Sequence, residues 1–211
     1  LPKGVLFYAS HEEMAADLAR VVEGHGGRGA LLGHSMGGKA AMTLALTRPE
    51  LIERLVVADI APVAYGHDQM IYVRAMRGVD LAGLTRRAEV DARLAAAVDD
   101  AALRAFFLQS VAFGEGGGRW KLNLETLGRE MPRIMGFPAV SGTYDGPALF
   151  VTGANSSYVQ PEHWPRIATF FPAARRRVIP NAGHWLHADT PGPFLQAVAS
   201  FLDGQSVPGP V

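Results

Sequence analysis

The 211-residue chain contains no cysteine. Disulfides, thiolate metal sites and a cysteine nucleophile are thereby excluded, while the compartment is left open. Long hydrophobic runs are also missing. No segment approaches the roughly 18–20 apolar residues that cross a bilayer as a helix, so stable membrane insertion is not expected. No stretch has the basic-then-apolar order of a secretion signal, and a cytoplasmic location is the default expectation. An excess of charge of one sign is absent too. Lysine plus arginine and aspartate plus glutamate number 20 each, which offers nothing to attract nucleic acid or an anionic membrane. There is no internal repeat, and nothing speaks to oligomeric state. What remains is the composition of a globular protein, 48% hydrophobic and 19% charged. Such a chain can bury one substantial core and carry one insertion.

Four short, nearly continuous apolar runs lie near 29–33, 54–59, 147–152 and 175–180. They alternate with helical patterns near 11–23, 38–48, 161–171 and 191–203. Leu55-Val56-Val57-Ala58 and Ala148-Leu149-Phe150-Val151 lack polar alternation, as strands buried on both faces of a parallel sheet do. Ser10 followed by Glu13 is a capping-box pattern for the first helix, with Met14, Leu18, Val21 and Val22 as its apolar stripe. Pro49 ends the second helix and Pro191 opens the last. The alternation predicts an α/β fold with right-handed crossovers. Val5-Leu6-Phe7-Tyr8 is apolar enough for another strand, and the tail from Ser206 is expected to be disordered.

Between residues 66 and 145 this rhythm breaks. Amphipathic runs at 68–78, 86–98, 100–113 and 123–135 surround a glycine cluster at 114–118, and no convincing strand is present. The economical division is a core of 1–65 and 146–211 with 66–145 as a helical insertion. That insertion is either a cap over a site or a plain helical subdomain.

The most informative segment is Gly33-His34-Ser35-Met36-Gly37, set between an apolar strand pattern and a helix that places Ala41, Leu44 and Ala45 on one face. A sharp strand-to-helix turn lifts one side chain clear of the backbone, and glycines around it relieve the crowding. The side chain presented here is a hydroxyl, a weak nucleophile until a base takes its proton and a third group orients the base. His184, in the loop after the last strand, is the base candidate. It lies at the carboxyl edge of the sheet where Ser35 also emerges. His187 is its rival, otherwise a structural residue. The acid is less direct. The loop 153–158 has no carboxylate, and Asp145 precedes its strand at the opposite edge. Asp59 ends the second strand beside Ser35 and is the candidate, the alternative being a residue that ties down the loop before Pro62. Ser156 is placed to support the histidine, and His34 to shape the elbow. The backbone N–H of Met36 is one oxyanion donor by position. His25-Gly26 lies on the wrong connection to be the second and reads as a turn. Tyr65, Met70, Trp120 and Trp185 are candidates for an acyl pocket or for plain packing.

These segments together resemble the α/β-hydrolase superfamily, and within it the small esterase group of YbfF-type and ABHD11-like hydrolases. The resemblance rests on Gly33-His-Ser-Met-Gly-Gly-Lys-Ala40, Leu55-Val-Val-Ala-Asp-Ile-Ala-Pro62, Arg119-Trp120 with Asn123-Leu124, Leu149-Phe-Val-Thr-Gly153 with Asn155-Ser-Ser-Tyr-Val159, and Ala182-Gly-His-Trp-Leu-His-Ala188. It implies an α/β-hydrolase fold, a mostly parallel sheet flanked by helices with a helical cap. It also implies an acid at Asp59, a serine at 156 where the family more commonly has the acid, and cleavage of small acyl esters or thioesters. Core strands upstream of Leu1 are implied as well, so the expectation is a chain truncated at its N-terminus, with the second oxyanion donor outside it. No metal or organic cofactor is required. The alternatives are perhydrolase, C–C hydrolase or acyltransferase chemistry on the same residues, or a non-catalytic hydrolase-like binding module. A dehalogenase would want an aspartate at position 35.

Overall fold

A computed structural model describes residues 10–66 and 69–205. The apolar segment 5–8 and the tail from 206 lie outside the described residues. In chain order the elements are α1 (His11–Gly24), β1 (Gly29–His34), α2 (Met36–Thr47), β2 (Ile52–Ala58), α3 (Met70–Arg77), α4 (Arg87–Leu94), α5 (Ala101–Leu108), β3 (Val111–Gly114), β4 (Gly117–Trp120), α6 (Leu124–Met135), β5 (Ala148–Gly153), α7 (Trp164–Phe170), β6 (Ala174–Ile179), α8 (Leu186–Asp189) and α9 (Pro191–Leu202). They fall into two compact units. One is helical and runs from Gly66 to Met135; the other holds the main sheet and comprises Ser10–Tyr65 with Gly136 onward.

The sheet unit contains four parallel strands in the order β1-β2-β5-β6. Its apolar runs are explained by where alternate side chains go. Leu55, Val57 and Phe150 join Ala41, Leu44, Ile167 and Phe171 on one face. Val56, Ala58, Leu149 and Val151 join Phe194, Ala197, Val198 and Phe201 of α9 on the other. A sheet covered by helices on both sides has no polar face to alternate with. Each fully buried Leu, Val or Phe contributes about 1.5–3 kcal/mol relative to exposure.

Helix α1 begins as the sequence predicts, with the Ser10 hydroxyl accepting the Glu13 N–H at 3.3 Å. Its contact face is only in part the expected stripe: Leu18 and Val22 pack against the core. Ala15 and Ala19 are buried, whereas Val21 is 57% exposed. Two helices approach closely where the side chains between them are small, and α1 packs on Ala41 and Ala45 of α2 through its alanines. The sheet unit resumes at Gly136 rather than after 145, because Phe137, Val140 and Tyr144 pack against its core.

The helical unit corrects the expectation that no strand lies between 66 and 145. Strands β3 and β4 form an antiparallel hairpin pairing Val111 with Trp120 and Gly114 with Gly117. The run 100–113 therefore divides into α5 and β3. A strand reading GGRW has little β propensity of its own. Its glycines instead let the hairpin backbone approach the segment 81–83 closely, where Ala82 forms a bridge with Gly117. At Gly117, φ is +113° and a Cβ would stand 2.7 Å from the Leu81 carbonyl oxygen. The unit has its own core of Val73, Met76, Leu81, Val90, Leu94, Phe107, Val111 and Met131.

Candidate active site

All four strands of the main sheet end at the same edge, and the four connections leaving it carry the polar residues singled out from sequence, Ser35, Asp59, Ser156 and His184. Ser35 sits between β1 and α2 with φ 54° and ψ −122°. A residue with a side chain held at positive φ costs about 1–3 kcal/mol, supplied by the surrounding structure. The Ser35 N–H donates to the Ala58 carbonyl at 3.0 Å, and the Ser35 carbonyl accepts from Gly38 N–H at 2.9 Å. The flanking glycines are not equivalent. A Cβ on Gly33 would stand 2.6 Å from the Gly37 carbonyl carbon, and one on Gly38 would stand 2.6 Å from Ile60 Cγ2. A Cβ on Gly37 would meet nothing within 4 Å. Close packing of strand on helix thus requires glycine at 33 and 38, not at 37.

Asp59 follows β2, also at positive φ (51°), and is fully buried. Its Oδ2 accepts from His184 Nδ1–H at 2.8 Å and from the Ser156 hydroxyl. Its Oδ1 accepts from the Gly153 N–H at 3.1 Å. Three donors compensate the desolvation that an isolated carboxylate would suffer there. His184 lies between β6 and α8. With Nδ1–H committed to a carboxylate, Nε2 carries the lone pair, and it stands 3.1 Å from Ser35 Oγ. The loop reaches this position because Gly153 lets it approach: a Cβ there would lie 2.9 Å from the Ala182 carbonyl carbon. Asn155 N–H then donates to the Ala182 carbonyl at 2.8 Å.

His34 Nε2–H donates to the His184 carbonyl at 2.8 Å, tying the elbow to the histidine loop. Burial holds its imidazole below the usual histidine range, despite the bond it donates. The His187 ring packs against His34, Trp185 and Phe194. Asp145 is exposed, before β5 at the amino edge of the sheet. Met36 is the first residue of α2, where backbone N–H groups have no intrahelical acceptor. His25-Gly26 forms the turn after α1, with φ +104° at Gly26. Trp185 is 39% exposed, its ring 5.9 Å from His184. Ser35, Asp59, His184, Ser156, His34, Met36 and Trp185 are therefore brought together. Met70 and Trp120 belong to the helical unit, packed against its core.

Three residues take roles that the sequence did not suggest. Tyr158 stacks on His184, ring centroids 3.8 Å apart and planes 16° from parallel. Tyr65 is committed to structure through its hydroxyl, which accepts from Ala61 N–H at 2.8 Å and donates to the Tyr158 carbonyl at 2.7 Å. Burial raises its phenol pKa well above the usual value. Lys39, on α2, is buried with its ammonium donating to the Gly136 carbonyl and lying 4.8 Å from the Tyr65 ring centroid. Desolvation lowers its pKa to about 8. The aromatic pair lies in segments already quoted for the resemblance, but nothing in their spacing announces a ring over the imidazole. Among the described residues no cluster of three or more histidine or carboxylate side chains could hold a metal ion. No helix among them is long and apolar enough to cross a membrane.

A nucleophile, a base and a buried acid in hydrogen-bond sequence can perform acyl transfer. The comparisons bear on whether the scaffold is one that does. The family model described as alpha/beta hydrolase fold matches residues 9–191. The chain is 43% identical over 203 residues to the sn-1-specific diacylglycerol lipase ABHD11 of Mus musculus, covering 92% of this chain and 66% of that protein. It is 33% identical over 198 residues to Esterase YbfF of Escherichia coli (strain K12), covering 92% and 75%. A solved structure, a marine microorganism esterase, superposes with a TM-score of 0.86 at 34% identity, covering 92% of this chain and 77% of that one. The chain spans 66% and 63% of the length of the mouse and Danio rerio relatives. Sequence, sheet order and the strand-end placement of Ser35 agree with these matches, and the chain belongs to the alpha/beta-hydrolase fold family.

Proposed function

We propose that the chain carries a serine hydrolase site that cleaves carboxylic esters or thioesters through an acyl-enzyme on Ser35. The observation that carries this reading is the unbroken relay from Ser35 Oγ to His184 Nε2 and from His184 Nδ1 to Asp59, at 3.1 and 2.8 Å. Ser35 Oγ attacks the acyl carbon as Nε2 takes its proton. Asp59 keeps the other ring nitrogen protonated and balances the imidazolium. The negative oxygen of the tetrahedral intermediate receives the Met36 N–H. Collapse expels the alcohol or thiol, which takes the proton from Nε2. Water then attacks the acyl-enzyme by the same steps in reverse order and frees the acid.

Ser156 holds Asp59, and His34 holds the histidine loop. Trp185, exposed beside His184, offers an apolar surface to the acyl or alkyl part of a small substrate. Substrate choice is assigned to the insertion, Met70 and Trp120 being its candidate residues. The relatives, a diacylglycerol lipase and an esterase, favour ester cleavage among the chemistries such a relay can perform. The test is turnover of a short-chain p-nitrophenyl ester. Ser35→Ala should lower kcat by about 10³-fold or more. Turnover by Ser35→Ala at the wild-type rate would remove the proposal.

A further inference from the structure

Five groups surround the His184 ring. The Asp59 carboxylate meets Nδ1 and the Ser35 hydroxyl meets Nε2. The His34 and Trp185 rings approach at 4.7 and 5.9 Å, tilted by 41° and 68°. Tyr158 differs from these neighbours in offering a near-parallel aromatic face at 3.8 Å. An aromatic face is the negative part of the ring quadrupole. It favours a cation stacked on it, the more so where water is excluded.

The position of Tyr158 is secured from three directions. Its N–H donates to Ser156 Oγ at 3.2 Å, and that hydroxyl donates to Asp59. Its carbonyl accepts the Tyr65 hydroxyl, which also receives the Ala61 N–H two residues beyond Asp59. The Tyr65 ring packs on the Tyr158 ring at 5.4 Å, and Tyr65 in turn lies near the Lys39 ammonium on the helix that begins beside Ser35. One hydroxyl thus joins the acid loop to the loop that faces the imidazole.

We infer that Tyr158 is a positioning residue for His184, its face fixing the imidazole plane and stabilising the imidazolium formed as Ser35 loses its proton, with the Tyr65 hydroxyl holding it in register. The inference rests on the acyl-transfer reading proposed above. Its test compares Tyr158→Phe, which keeps the face, with Tyr158→Leu, which removes it, by steady-state kinetics across pH on a p-nitrophenyl ester. Tyr158→Leu should lower kcat about tenfold with KM within about twofold, and move the acid limb of kcat/KM to lower pH. Tyr158→Phe should restore both kcat and the limb. Tyr65→Phe should show a smaller loss in the same direction. A Tyr158→Leu enzyme with wild-type kcat and limb overturns the inference, and so does an equal loss in both Tyr158 variants with the limb unmoved. Should Tyr158→Leu fail to fold, wild-type kinetics in Tyr65→Phe overturns it. Retained turnover in Ser35→Ala would instead overturn the acyl-transfer reading, whatever the tyrosine variants do.

Discussion

In the sheet unit, hydrogen bonds at the site join residues far apart in sequence: Asp59 to His184 across 125 positions, Ser35 to His184 across 149, Tyr65 to Tyr158 across 93. In the helical unit the side-chain ties span less of the chain, from Arg86 with Glu89 to Arg87 with Val111 across 24 positions and Arg77 with Glu125 across 48. Asp100 caps its own helix through Ala102 and Leu103, Arg86 meets Glu89, and Arg104 reaches Asp91 across 13 positions. The contrast teaches where rigidity is needed. A relay built from three strand ends exists only while the whole sheet is formed. Short helices joined by shorter-range ties can open piecemeal.

The comparison can be broken most forcefully from the helical side. Leu94 is fully buried in that unit's core. Leu94→Ala should cost about 2–5 kcal/mol. If the units are energetically distinct, amide exchange should accelerate within 69–135 while β2 and β5 keep their protection. Uniform acceleration in both would show one cooperative structure and undo the contrast.

A smaller and pH-confined effect sharpens it from the other side. His11 opens α1 and is 2% exposed, with Nε2 lacking a hydrogen-bond partner among the described residues. Desolvation, with the nearby Lys39 charge adding to it, lowers its pKa to about 4. The unfolded chain takes up that proton near 6.5 and the folded one near 4. Stability is therefore lost as pH falls through this window, by up to about 3 kcal/mol. No histidine occurs between 69 and 135, so this loss should enter through the sheet unit. His11→Leu should flatten the acid side of a urea-midpoint profile between pH 6.5 and 4. An unchanged slope would assign the acid sensitivity elsewhere.

The sheet was legible because burial on both faces leaves uninterrupted apolar runs, as in Leu55–Ala58. The meeting of Ser35, Asp59 and His184 was legible because each stands where a strand gives way to a loop at the same edge. Other features depended on shape that a pattern of apolar residues does not encode. Glycines in the β3–β4 hairpin let its backbone approach the segment 81–83, a contact of shape rather than of apolar pattern. The α1 contact includes Ala15 and Ala19 beside Leu18 and Val22, and alanines carry little weight in an apolar stripe. The stack of Tyr158 on His184 arises from two loops meeting across the sheet edge, and no local spacing predicts such a meeting. Lys39, inside a motif otherwise read for its glycines, gave no sign that its ammonium would be buried beside Tyr65.

The central claim is that Ser35 is activated by His184 and Asp59. Labelling by a fluorophosphonate probe, with the modified peptide identified by mass spectrometry, tests it most directly, because an unactivated serine reacts slowly. Rapid labelling is expected at Ser35, slowed by orders of magnitude in His184→Ala and in Asp59→Asn. Labelling at Ser35 that is equally fast in all three proteins, or absent in the wild type, would contradict it.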